Sequence, residues 1–105
     1  MKHFNAIALA ALGYFASISA GGANEQLMEK SGCLSCHRID QKLIGPAYKD
    51  VAARYRGHPE VIDTLMQKVR EGGEGVWGDI PMAPNSEEKV SDENLKLILQ
   101  WILSL

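Results

Sequence analysis

Residues 33–37 read CLSCH, and they hold both cysteines of the chain together with one of its three histidines. Two thiols and an imidazole within five residues, in a 105-residue chain with no other cysteine, govern how everything around them is read. The spacing itself is chemical. In C-x-x-C-H the thiols stand about one helical turn apart, so each can add to one vinyl group of a haem and form a thioether, and the next-door histidine falls under the iron as its proximal ligand.

Three other uses of the same residues compete. A thioredoxin-type C-x-x-C needs a βαβ pattern around it, and none is present. A zinc site needs four ligands, yet His58 is the only further histidine beyond the first few residues. A structural disulfide between Cys33 and Cys36 closes too small a loop to staple a domain this short of buried area, and it leaves His37 without a purpose.

Upstream, Lys2 gives a short basic opening, Ala6 to Ile18 is an apolar or small run (AIALAALGYFASI), and SAGGAN follows. That order is a secretory signal peptide. Its thirteen apolar residues fall short of the roughly 20 that a membrane-crossing helix needs. Ala20, Gly22 and Ala23 are each small enough to precede the cut, so we expect a leader over residues 1–22 and a single domain over 23–105. Export places the domain in an oxidising compartment.

The domain reads as all-α. Glu25 to Ser31 are helix formers that stop at Gly32, and AYKDVAARY (47–55) sets Ala47, Val51 and Tyr55 on one stripe with Tyr48 and Ala52 beside it. Pro59 opens a third helix with Ile62, Leu65, Met66 and Val69 at i, i+3, i+4 and i+7 before Gly72-Gly73 stops it. The fourth starts at Ser91 as N-cap, carries Asp92 and Glu93 in its first turn, and continues through Leu95, Ile98, Leu99 and Ile102. No segment alternates as a strand. Between the last two helices EGGEGVWGDIPMAPNSEEKV forms a long loop rich in Gly and Pro, and a loop of that length in so small a domain points to function.

A haem iron has a second axial position, for which Met28, Met66, Met82 and His58 are the available residues. Met28 lies five residues before Cys33, on the proximal side, and Met66 belongs to the apolar stripe of the third helix, where methionine usually fills core. His58 precedes a helix-opening proline and reads as an exposed turn residue. Met82 stands in the long loop between Pro81 and Pro84, whose fixed φ keeps the backbone extended. The residues alone leave it either a ligand or packing.

GCLSCHRID, GPAYKDVAARY, GVWGDIPMAPN and LQWILSL together resemble the small bacterial class I cytochromes c of the cytochrome c-551 (cytochrome c8) type, over essentially the whole chain after the leader. The resemblance implies a small cytochrome c fold, about four helices wrapped around one haem c. It makes Cys33 and Cys36 the thioether attachments, His37 the proximal ligand and Met82 the distal one. By the same resemblance Pro46 supplies the carbonyl that orients the proximal imidazole, Trp77 hydrogen-bonds a haem propionate, and Asn85 lies near the ligand sulfur. The chain departs from the family at Ala83, where a second proline is common, and loses some stiffness there.

The implied activity is one-electron transfer in the periplasm rather than catalysis, with redox proteins such as a nitrite reductase, a terminal oxidase or a peroxidase as transient partners and the carrier itself a monomer. Neither a nucleic-acid partner nor stable membrane insertion is expected. Charge adds one reading of its own: Asn24 to Arg56 holds six basic and four acidic residues, whereas Gly57 to Leu105 holds four basic and nine acidic. The basic half surrounds the attachment motif, with Lys30, Arg38, Lys42 and Lys49, which suits steering towards an acidic partner. Two other functions stay open on the residues: a haem sensor or small enzyme with a displaceable sixth ligand, and a colourless secreted domain with a disulfide.

Overall fold

The computed structural model describes residues 20–105; the first nineteen residues of the expected leader lie outside the described residues. Helix α1 spans Ala20–Lys30, and a 3-10 turn at Cys33–Ser35 follows. Then come α2 (Tyr48–Tyr55), a second 3-10 turn at Pro59–Val61 that leads into α3 (Ile62–Glu71), a hairpin of β1 (Gly73–Gly75) and β2 (Gly78–Met82), and α4 (Asp92–Leu103).

The fourth helix organises the rest. Ser91 sits in extended backbone at φ −64°, ψ 158°, and its hydroxyl accepts a hydrogen bond from the amide of Asn94 at 3.1 Å, satisfying one of the four free N–H groups of the first turn. Asp92 and Glu93 in that turn complement the positive end of the helix dipole. Leu95, Ile98, Leu99 and Ile102 then fall on one face and are all buried. That face packs against α1, α2 and α3, where it meets Met28, Tyr48 and, from just before its own start, Val90. Burying side chains such as Leu95 and Ile98 stabilises the fold by about 1.5–3 kcal/mol each, so α4 is the spine on which the other helices rest.

Two of the competing sixth ligands are absorbed by this core. Met28 is fully buried within it, and Met66 is half-buried against it. His58 is exposed and precedes the Pro59 turn, with its Nδ1 3.0 Å from Glu60 Oε1. The Glu60 carboxyl is held below its ordinary range, first by a hydrogen bond from its own backbone amide and then by His58.

The expectation of no strand needs correcting. Residues 73–82 form an antiparallel two-stranded ribbon with Gly73 opposite Met82 and Gly75 opposite Gly78, and with an irregularity between the two pairs. Glycines at φ +106°, +120° and +112° (Gly73, Gly75, Gly78) let the chain turn so tightly. Both strands are exposed almost throughout, so no apolar alternation marks them in the sequence. The fold remains mainly helical. α1 also begins earlier than the helix formers at Glu25 suggest and ends at Lys30, where Gly32 at φ +81° turns the chain and donates its amide to Glu29 O at 3.0 Å.

Candidate functional site

Gly32 delivers the chain into the cysteine motif. The amides of Cys36 and His37 both reach the carbonyl of Cys33, at 3.2 and 3.1 Å, so the two cysteines lie at i and i+3 of one tight turn. Both thiols are free of any disulfide, Cys33 half-buried and Cys36 exposed. Arg38 folds back over the turn through a hydrogen bond from its guanidinium to the carbonyl of Leu34.

His37 is then fixed from three sides. Its Nδ1 lies 2.8 Å from the carbonyl oxygen of Pro46. A carbonyl only accepts, so Nδ1 carries the hydrogen and the lone pair resides on Nε2, the nitrogen that is available to a metal. The Tyr48 ring stacks on the imidazole with centroids 4.8 Å apart and planes 17° from parallel. On Gly45, a Cβ would stand 2.4 Å from Cε1 of the same ring, so only glycine leaves the imidazole its place. The backbone between these groups is tied back to the motif, with Gly45 N donating to Cys36 O at 2.8 Å and Tyr48 N to Arg38 O at 2.9 Å.

Tyr48 also hydrogen-bonds Cys33, and burial pushes both groups up, the Tyr48 phenol far above its ordinary range and the Cys33 thiol more modestly. Lys89, which lies against Gly32, opposes the shift on Cys33.

A second constellation holds Met82. It ends β2, is half-buried, and its carbonyl leaves no room for a side chain at Gly72, where a Cβ would come within 2.3 Å of the oxygen. Asn85 then locks the following turn, with its backbone amide on Val69 O at 3.1 Å and its side-chain amide on Val69 O at 3.2 Å and Ala83 O at 3.0 Å. Both side-chain hydrogens of Asn85 are thus spent on backbone carbonyls.

Trp77 stands apart, in the hairpin turn, with the Arg54 guanidinium 5.2 Å from its ring centroid. It belongs to a set of large apolar side chains that the helical core leaves outside. Leu43 and Ile44 on one segment, and Val76, Trp77 and Ile80 on the other, are 40–61 % exposed. That much exposed apolar surface, on the segments that flank His37 and Met82, asks for a covering group. An apolar planar group fits: two thiols on one turn to tether it, an imidazole with Nε2 unspent, a thioether on an anchored loop, and apolar side chains to cover its faces. Gly45, Gly72 and the ring role of Tyr48 escaped the sequence reading, because a glycine before proline reads as a turn and a tyrosine at helical spacing reads as core.

Fold and site together define a small, mainly helical protein that holds one covalent haem. The cytochrome c profile matches residues 23–105, and the chain belongs to the cytochrome c family. It is 47 % identical to cytochrome c-552 of Hydrogenobacter thermophilus over 83 residues, covering 79 % of this chain and 82 % of that one. It is 41 % identical to cytochrome c-551 of Pseudomonas aeruginosa over 105 residues, which is 99 % of this chain and 98 % of the relative. Among solved structures, wild-type cytochrome c552 of Nitrosomonas europaea superposes with a TM-score of 0.71 at 42 % identity, across 77 % of this chain and 98 % of that one. The chain accordingly carries one haem c through its only cysteine pair, Cys33 and Cys36, and acts in electron transport. Among the described residues no helix is long and apolar enough to cross a membrane.

Proposed function

We propose that this protein is a periplasmic one-electron carrier whose haem iron is held between Nε2 of His37 and the thioether of Met82. The haem supplies the redox couple when bound. The chain's own residues supply rigidity. His37 is fixed by Pro46, Tyr48 and the bare face of Gly45, and hydrogen bonding of Nδ1 to a carbonyl raises the donor strength of the opposite nitrogen. The observation that carries the assignment is the anchoring of Met82 on both sides, by Gly72 and Gly73 before it and by Asn85 after it. A ligand loop held that firmly changes little between oxidation states and leaves no open position for a substrate.

In the same proposal, a leader ending near residue 22 is removed on export, and the mature domain works as a monomer. The basic side chains near the attachment turn, to which Lys89 adds one from the acidic half of the chain, guide the haem edge to an acidic redox protein such as a reductase, oxidase or peroxidase. Steering of this kind acts on the encounter rate, so electron transfer to such a partner slows as salt is added; an insensitive rate removes the steering from the proposal.

The deciding experiment is a carbon monoxide difference spectrum of the dithionite-reduced holoprotein at neutral pH. We expect no change, because Met82 occupies the sixth position. Rapid carbon monoxide binding would instead assign the protein to gas sensing or peroxide chemistry.

A further inference from the structure

Arg70, in the last turn of α3, makes the densest set of side-chain hydrogen bonds among the described residues, and none of them stays within its own helix. Its Nη1 reaches the carbonyl oxygens of Asn85 at 3.3 Å, Ser86 at 3.0 Å and Val90 at 2.7 Å, while Nη2 lies 2.6 Å from Oδ1 of Asp92 in the first turn of α4. The Arg70 side chain is largely buried and Asp92 is exposed, so the carboxylate sits at the solvent end and the guanidinium plane points inward onto the loop. Nη1 carries two hydrogens, so the longest of its three contacts, with Asn85, shares one of them; gathering carbonyls and a carboxylate onto one rigid plane is a use suited to the arginine fork.

These contacts complete a pattern that the preceding residues begin. The last turn of α3 and the glycine that follows it grip both ends of the Met82 segment. Gly72 abuts the Met82 carbonyl, Val69 offers its carbonyl to both amides of Asn85, and Arg70 gathers the stretch from Asn85 to Val90 and fastens it to α4. We infer that Arg70 is a positioning residue for Met82: it holds the loop closed through its contacts with the carbonyls of Asn85, Ser86 and Val90, braced by Asp92 of α4, and so sets how often the thioether leaves the iron. The inference rests on Met82 being the distal ligand, and it adds the element that controls that ligand's exchange.

Imidazole is the probe, because it enters the sixth position of ferric haem only when the methionine is away, and its apparent affinity therefore reports the open fraction of the loop. Binding is read in the ferric holoprotein by loss of the far-red absorption band that a thioether gives on ferric haem. If the wild-type protein lacks that band, the assignment of Met82 fails before any variant is compared, and the role of Arg70 falls with it. Where the band is present, Arg70→Gln keeps the band but binds imidazole roughly tenfold more tightly, the equivalent of losing one charge-assisted hydrogen bond net of solvation. Arg70→Lys, which keeps the charge without the fork, falls between the two.

A folded Arg70→Gln protein with a lower melting temperature but unchanged imidazole affinity overturns the proposal, because a purely structural residue moves only the first quantity. Should Arg70→Gln fail to yield holoprotein, Asp92→Asn decides instead. It loosens the guanidinium from the exposed side, and a gain of roughly twofold or more in imidazole affinity supports the proposal, while an unchanged affinity sinks it.

Discussion

The Nδ1 of His37 lies 2.8 Å from the carbonyl oxygen of Pro46, and the residue before that proline, Gly45, lies against the face of the same imidazole. One dipeptide thereby sets both the tautomer and the tilt of the ring. The carbonyl fixes which nitrogen is bare, and the missing Cβ fixes where the plane sits.

Gly45→Ala separates these two effects. Its Cβ would meet Cε1 at 2.4 Å and Nδ1 at 2.8 Å, contacts that require either the ring or the 43–46 backbone to move. We expect a loss of about 1–3 kcal/mol in stability, the usual cost of forcing extra volume into a packed site, together with a changed Soret spectrum as the imidazole rotates. Thermal unfolding of the holoprotein beside its absorption spectrum checks both. A variant with wild-type stability and spectrum would show that the glycine is incidental.

Met82→Ala tests the proposed second axial ligand. The expected protein still carries haem, has lost the far-red band, and binds carbon monoxide rapidly once reduced. Met66→Leu is the control, because Met66 packs against the core and a swap of similar volume costs less than about 1.5 kcal/mol. The band must survive in Met66→Leu; its loss there would move the ligand to α3.

What the sequence disclosed and what it concealed divide along a physical line. The stripe of α4, the Ser91 cap and the proline that opens the 59–71 segment were legible because local periodicity and capping chemistry determine them. Cys33 and Cys36 were legible as the haem attachment because their spacing is itself the chemistry. The β1–β2 ribbon was not, since it is built from glycines at positive φ and buries no face. Nor were the contacts of Gly45, Gly72 and Arg70, whose partners lie far along the chain or, for Gly45, across a turn that only the folded backbone defines. Trp77 illustrates the intermediate case: the tryptophan was singled out, but its pairing with Arg54 of α2 is a product of the fold.

Ser91→Ala removes the hydroxyl that accepts the Asn94 amide at 3.1 Å. Because α4 carries most of the core, the cap supports more than its own helix. We expect about 1 kcal/mol of destabilisation in a denaturant titration, with an unchanged spectrum because Ser91 lies apart from His37 and Met82 in the chain. An effect within a few tenths of a kcal/mol would mean that water caps the helix equally well.

Tyr48 gives a prediction about alkali. Burial, the first cause, raises its phenol above the ordinary tyrosine value of 10.0. With the folded value above the unfolded one, the unfolded chain gives up the proton first as pH rises, so the contribution is fully present below about pH 10 and is lost above it. Over that alkaline window the wild-type holoprotein should lose stability with a slope approaching about 1.4 kcal/mol per pH unit from this group, provided the fold persists. Tyr48→Phe keeps the ring on His37 and removes the proton, so its stability curve should lack that component while matching the wild type's shape at neutral pH. Denaturant midpoints measured at neutral pH and at several values above the tyrosine range decide it. Parallel curves for the two proteins across the whole range would mean that the phenol ionises in place, in contact with solvent that the packed site does not admit, and would count against the close stack of Tyr48 on His37.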